Sequence, residues 1–209
     1  GAGIATLRGE QMIRLYNGLV MPMVSDCSVA TGEVWTDGGK IAYAGPARDG
    51  ELPAFEREID LKGDLVMPGF KNAHAHSAMT FLRSYADDLP LQSWLFDKVF
   101  PLEARLTPEA VYAFTRLAIL EYLAGGITAS FDMYFYRDAY AQANIDSGFR
   151  TVICGALSAG DKISTAADDY KKYNSMGELI SYLPGVHAEY TADEKLLRGM
   201  SELVHELKS

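Results

Sequence analysis

Two spacings of apolar residues divide the chain. Up to about residue 67 they come in short runs with the two-residue period of strands. Ile13-Arg-Leu-Tyr-Asn-Gly-Leu-Val-Met-Pro22 alternates loosely and stops at a proline. Glu33-Val-Trp-Thr36 and Ile41-Ala-Tyr-Ala-Gly45 flank Asp37-Gly-Gly-Lys40. Asp-Gly tolerates the positive φ of a tight turn, so this stretch reads as a hairpin. After a polar loop from Pro46 to Pro53, Glu58-Ile-Asp-Leu and Leu65-Val-Met add two short strands. Residues 12–67 are therefore expected to form a small, mostly antiparallel β unit. Gly1 to Gln11 lacks an initiator methionine and fits neither spacing, and is expected to be upstream or added sequence outside the fold.

Beyond His76 the spacing changes to that of helices interleaved with strands. Ser77-Ala-Met-Thr-Phe-Leu-Arg-Ser-Tyr reads as a short helix capped by Ser77, and Leu91 to Phe100 as a second. Thr107-Pro-Glu109 is a strong helix start, with a capping threonine, a proline at the first helical position and an acid in the first turn. Val111, Phe114, Leu117, Ala118 and Tyr122 then define an apolar face, and Gly125-Gly126 stops the helix. Ile127 to Phe135 reads as a strand, Arg137 to Ser147 as a helix, and Phe149 to Leu157 as another strand. Lys162 to about Leu183 is polar and partly helical, and Gly185-Val-His187-Ala-Glu-Tyr190 reads as a fourth strand. Thr191 and Glu194, three apart, suggest a capping box opening a last helix that carries Leu196, Leu197, Met200, Leu203 and Val204.

Alternating strands and helices imply a parallel sheet with right-handed crossovers. At roughly 30 residues per βα unit, residues 68–209 hold about four units. The spacing alone leaves two architectures open: a compact four-stranded α/β sheet, or the first half of an eight-stranded (β/α)8 TIM barrel.

Composition removes several function classes. A net charge of -9 without a basic cluster argues against a nucleic-acid partner. No apolar run reaches membrane-spanning length, and no leader pattern opens the chain. Cys27 and Cys154 lie far apart and give no disulfide framework, so a cytoplasmic, reducing setting is expected.

The chemistry centres on Pro68-Gly-Phe-Lys-Asn-Ala-His74-Ala-His76. If this run ends a strand, alternation sends both imidazoles to one face, where they would make two ligands for a divalent metal. Two unrelated loop histidines are the bland alternative.

Pro68 to Met79, followed by Leu82-Arg-Ser-Tyr-Ala-Asp-Asp-Leu-Pro-Leu-Gln-Ser-Trp-Leu95, resembles the amidohydrolase superfamily. The closest branch holds the 5-methylthioadenosine/S-adenosylhomocysteine deaminases and chlorohydrolase-type aminohydrolases. The likeness continues through Phe100-Pro-Leu-Glu103-Ala-Arg-Leu, Gly148-Phe-Arg150 and His187-Ala-Glu-Tyr-Thr191. It implies a (β/α)8 barrel with a small β-sandwich, its active site at the carboxyl ends of the strands. It also implies one divalent metal, usually zinc in this branch, bound by the His-x-His pair, a fifth-strand histidine and an eighth-strand aspartate. By this resemblance His74 and His76 are metal ligands, Glu103 and Arg150 bind substrate, and His187 contacts substrate beside the reacting carbon. Glu103 as a surface acid, Arg150 paired with Asp146, and His187 as a core histidine are the plainer alternatives. Trp94 and Phe81 either line a pocket or fill the core, and Asp132 is a candidate support for a metal histidine.

The expected fifth-strand histidine, the glutamate three residues after it and the eighth-strand aspartate are not in this sequence, so the chain is expected to be an amino-terminal half. His205, in a polar helix, is expected at the surface and is no substitute ligand. The family's dinuclear members use a carboxylated lysine ending the fourth strand; Gly185-Val-His187-Ala-Glu-Tyr190 has none, which points to a mononuclear site. The implied reaction is attack of metal-bound hydroxide on an amino-bearing ring carbon of a purine nucleoside or similar small heterocycle. Guanine, a triazine, or no catalysis in a bare half-barrel remain alternatives. A half-barrel is also expected to associate with itself or a neighbour through its open edges.

Overall fold

The computed structural model describes residues 12–24 and 28–209; Gly1 to Gln11, expected to lie outside the fold, fall outside the described residues. The chain divides into two compact units, at Pro68 and Gly69.

The first unit is one five-stranded sheet: β1 (Met12–Val20), β2 (Ala30–Asp37), β3 (Lys40–Gly45), β4 (Arg57–Asp60) and β5 (Leu65–Val66). The β2–β3 hairpin turns at Gly38, whose φ is 57°. β1 pairs antiparallel with β2 but parallel with both β4 and β5. The unit is thus more mixed than the mostly antiparallel one expected, because the Pro46 to Phe55 loop returns the chain to run alongside β1. Glu33 is fully buried and accepts from Arg14 Nε at 2.9 Å and from the Arg48 amide at 3.1 Å. Its charge is paired, as a buried carboxylate requires.

In the second unit β6 (Phe70–Ala75), β7 (Ile127–Asp132), β8 (Arg150–Cys154) and β9 (Ile180–Leu183) form a parallel sheet in the order β6-β7-β8-β9. Consecutive strands lie side by side. Right-handed crossovers in that order place every helix on the same face, which is the geometry of a barrel wall rather than of a doubly wound sheet. Of the two architectures the alternation allowed, the fold is the half-barrel.

The crossovers are α3 (Pro108–Ala124), α4 (Arg137–Asp146) and α5 (Ile163–Tyr173), with α6 (Glu194–Leu207) after β9. Before α3 come a 3₁₀ turn, Ser77–Leu82, and a helical stretch in which α1 (Leu91–Ser93) and α2 (Phe100–Glu103) flank a π-helical Trp94–Val99. Ser77 is the first residue of its turn and not the cap, a place taken by His76. Thr107 caps α3, its Oγ1 accepting from the Ala110 amide at 3.2 Å. Replacing Thr107 with alanine is expected to lower stability by about 1 kcal/mol, read as a shift in the urea midpoint at unchanged slope.

The buried face of α3 is Val111, Thr115, Ala118 and Ile119, with Phe114 packed at its margin. Leu117, expected inside, is exposed with Leu120 and Leu123. The core between sheet and helices gathers Val111, Tyr140, Ala141, Ile153, Tyr173, Ile180 and Tyr182. The outer end is closed by Leu157, Ala166, Leu196, Met200 and Leu203.

Two corrections concern the carboxyl end. The fourth strand is Ile180–Leu183 and not Gly185–Tyr190. Ile180 and Tyr182 alternate inward, and Pro184 ends the strand, so the Gly185 to Tyr190 stretch is a loop with a single bridge, Leu157 to Val186. The cap of α6 is Asp193, which accepts from the Leu196 amide at 2.7 Å, and not Thr191.

Candidate active site

The carboxyl ends of β6 to β9 and the loops that follow carry the chemistry. β6 ends at Ala75, and the pairing register with β7 slips between Asn72 and Ala75. Bulges of this kind re-aim side chains beside active sites. Here His74 and His76 come out side by side, ring centroids 5.1 Å apart and planes 83° apart. His76 Nδ1 lies 2.8 Å from the Met133 carbonyl oxygen. A carbonyl can only accept, so Nδ1 carries the proton and Nε2 keeps its lone pair, the state a metal ligand needs. Two bare-nitrogen imidazoles at this end of the sheet fit part of a divalent-metal site. Among the described residues no cluster of three or more histidine, cysteine or acidic side chains could hold an ion, so the chain supplies two ligands and no third. Catalytic zinc takes three protein ligands with an open position.

Beside the pair opens a pocket of about 460 Å³. His76, Trp94, Glu103 and His187 all line it, together with Tyr134 and Arg137. Trp94, which the sequence left between pocket and core, belongs to the pocket. It lies on the π-helical stretch, a distortion frequent at functional sites. Phe81 belongs to the core, stacked on Phe114 at 5.3 Å.

Glu103 Oε1 accepts from the Tyr134 hydroxyl at 2.8 Å, which leaves Oε2 to serve a ligand. Burial pushes the Tyr134 phenol well above its ordinary range, and the adjacent Glu103 carboxylate pushes it further, so this donor stays protonated. His187 is exposed at the pocket wall, its Nδ1 3.1 Å from Thr191 Oγ1. Thr191 directs its own hydroxyl proton at the Ala188 carbonyl at 3.0 Å, so His187 Nδ1 is the donor and Nε2 is the atom available to a ligand. The His187 amide bonds to the Leu157 carbonyl at 2.9 Å, tying this loop to the end of β8.

Arg150 is not brought to this site. It is the first residue of β8, and the pocket lies past the last, about 13 Å farther along at 3.3 Å per residue. Nor does it hold Asp146, which accepts instead from Tyr112 at 2.8 Å and Gln142 at 2.7 Å. The cation that reaches the pocket is Arg137, which opens α4 and pairs with Asp169 at 3.2 Å. His205 is exposed on α6, its ring bonded to the Ser201 carbonyl at 2.7 Å.

Tyr134 and Arg137 were not singled out in the sequence. A signal did exist: both follow Asp132, the last residue of a strand, and in a barrel the residues just past each strand face the site.

A wall of consecutive parallel βα units with paired imidazoles at its carboxyl end defines a barrel of the metal-site type. The chain belongs to the amidohydrolase family, whose model matches residues 65–208. A 5-methylthioadenosine/S-adenosylhomocysteine deaminase of Symbiobacterium thermophilum is 40% identical over 202 residues, which are 92% of this chain and 46% of that protein. One from Archaeoglobus fulgidus is 40% identical over 185 residues, 85% of this chain and 42% of its own. Among solved structures, a zinc-bound adenosine deaminase from Xanthomonas campestris is 30% identical with a TM-score of 0.82, covering 95% of this chain and 47% of its own. A triazine hydrolase from Arthrobacter aurescens shares the fold at 19% identity and a TM-score of 0.85, covering 95% of this chain and 51% of its own. The chain spans about half the length of the relatives it matches.

Proposed function

We propose that this chain is the amino-terminal half of a metal-dependent aminohydrolase acting on a purine nucleoside or a related small N-heterocycle. The carrying observation is that His76, Glu103 and His187 open on one pocket beside His74, at the carboxyl end of the half-barrel. The names of the relatives support the nucleoside class. A divalent ion, for which zinc is the best candidate, would be held in part by His74 and His76, and when bound would supply an activated water at neutral pH.

The remaining work falls to this chain's own side chains. Glu103, held on one oxygen by Tyr134, offers the other as acceptor for ligand hydroxyls such as a ribose diol. His187 Nε2 accepts from the ligand when the ring is neutral and donates when it is cationic, so it can orient the heterocycle and meet charge that develops on it. Trp94 and Phe100 give the pocket apolar walls against which a planar base can lie.

The same reading includes covered edges. β6 and β9 end the sheet, and Leu117, Leu120 and Leu123 form exposed apolar surface on α3, which further strands and helices or a second chain would bury. Among the described residues no helix is long and apolar enough to cross a membrane. A cytoplasmic setting belongs to the proposal and draws support from the buried free thiol of Cys154.

The test is a fusion of this chain to the carboxyl half of the Symbiobacterium relative, loaded with zinc and assayed for ammonia release. Methylthioadenosine, S-adenosylhomocysteine, adenosine and guanine are the substrates. Release from at least one nucleoside, lowered about 10²-fold or more by His187→Ala, is expected. A zinc-loaded, folded fusion that releases ammonia from none of the four would refute the nucleoside assignment.

A further inference from the structure

Below the histidine pair lies a carboxylate that the reading above does not use. Asp132 ends β7 with 1% exposure, and among the described residues it forms no ion pair. An unpaired buried carboxylate is costly, so its bonds define its role. Asp132 Oδ1 and Oδ2 lie 3.2 and 3.4 Å from the Ser77 amide, the residue directly after His76. Ser77 is gripped a second time through its hydroxyl, 3.0 Å from the Tyr122 hydroxyl on α3.

The neighbouring bonds converge on the same turn. The Met133 amide donates to the Ala75 carbonyl at 3.1 Å, and the Met133 carbonyl receives His76 Nδ1 at 2.8 Å. The Met79 amide donates to the His76 carbonyl at 2.8 Å. His76 is therefore fixed on both sides of its own Cα and at its ring, and every strut on the β7 side comes from Asp132 or the residue after it. Where the strand register has already slipped, between Asn72 and Ala75, regular pairing cannot do this holding.

We propose that Asp132 is a positioning residue for the metal-binding pair: its buried carboxylate clamps the Ser77 amide and so keeps His76 in the Nδ1–H form, with Nε2 turned to the ligand site. This rests on the proposed metal reading of His74 and His76. A charged acceptor is suited to the task because charge-assisted bonds to an amide are about twice as strong as neutral ones. Asparagine keeps the shape and one acceptor oxygen but not the charge, and alanine removes both.

Two measurements test the clamp. In Co²⁺ titrations of the 209-residue chain, Asp132→Asn should weaken binding about tenfold and Asp132→Ala about 100-fold, the range seen when an outer partner of a metal histidine is lost. Tyr122→Phe, which leaves the Asp132 contact intact, should stay within about twofold. Second, ¹⁵N spectra of the imidazoles in metal-free protein at pH about 8.5, where ordinary imidazoles are neutral, should show His76 as the Nδ1–H tautomer. In Asp132→Asn it should become a mixture of tautomers. Unchanged Co²⁺ affinity and an unchanged tautomer in a folded Asp132→Asn protein would overturn the proposal. If that variant does not fold, an Nε2–H tautomer in the parent protein overturns it by itself. No Co²⁺ uptake by the parent protein would sink the metal reading, while the tautomer measurement still decides the clamp.

Discussion

Replacing His74 and His76 together with alanine is expected to lower zinc affinity by more than about 100-fold, beyond what loss of an outer partner alone produces. The reason is the shortage of alternatives. Among the described residues no other cluster of histidine, cysteine or acidic side chains could hold an ion. Asp132 is the nearest carboxylate on the neighbouring strand, but it is buried and turned to the Ser77 amide. Burial raises its carboxyl above the ordinary range even against the bonds from Ser77, so it is a poor candidate to step in as a charged ligand. His205→Ala, altering an exposed ring on α6, should leave zinc affinity unchanged. Calorimetric titration of the three proteins checks both statements. Equal zinc affinity in the parent and the double variant would show that metal binds elsewhere.

Gly155→Ala is expected to be the most damaging single-methyl change at the site. A Cβ there would lie 2.6 Å from the Gly185 amide nitrogen, 2.8 Å from the Tyr182 hydroxyl and 3.0 Å from the Gly185 oxygen. Two of the three are backbone atoms, which no rotamer change can move aside. The close approach is what lets the Gly185 to His187 loop lie against the end of β8. Leu157 donates to the Gly185 carbonyl at 3.2 Å, and His187 donates to the Leu157 carbonyl at 2.9 Å. A methyl group forces these bonds apart, at a cost of about 1–3 kcal/mol, and moves His187 away from the pocket. Gly185→Ala meets its nearest neighbours at 3.1 and 3.2 Å and should cost less. Urea unfolding of both variants gives the order, and the His187 ring resonances report the displacement. A Gly155→Ala protein within 0.5 kcal/mol of the parent, with unmoved His187 resonances, would contradict this packing.

The parts of the fold legible in the sequence are those set by local chemistry. Thr107-Pro-Glu109 opened α3 where expected, because a cap is a contact between residues three apart. Asp37-Gly38 turned the hairpin because the turn needs positive φ. His74 and His76 came out side by side because two residues of one strand share a face.

The parts that were misread depend on neighbours distant in sequence. Gly185 to Glu189 alternates as well as Ile180 to Leu183 does, and only pairing with β8 decides which is the strand. Leu117 fits the apolar period of α3, but the partner that would cover it is not within this chain's helices. The Tyr134–Glu103 bond joins residues 31 apart, so no spacing rule reveals it. Arg150 was assigned by likeness of its surroundings, and strand direction then placed it at the wrong end.

The central claim is that His74 and His76 form half of an amidohydrolase metal site. X-ray absorption at the zinc edge, on the chain loaded with one equivalent of zinc, tests it most directly. Two imidazole nitrogens at about 2.0–2.1 Å, with oxygen completing the shell, are predicted, and one imidazole fewer in His76→Ala. A shell without imidazole scattering, or one unchanged in His76→Ala, would contradict it.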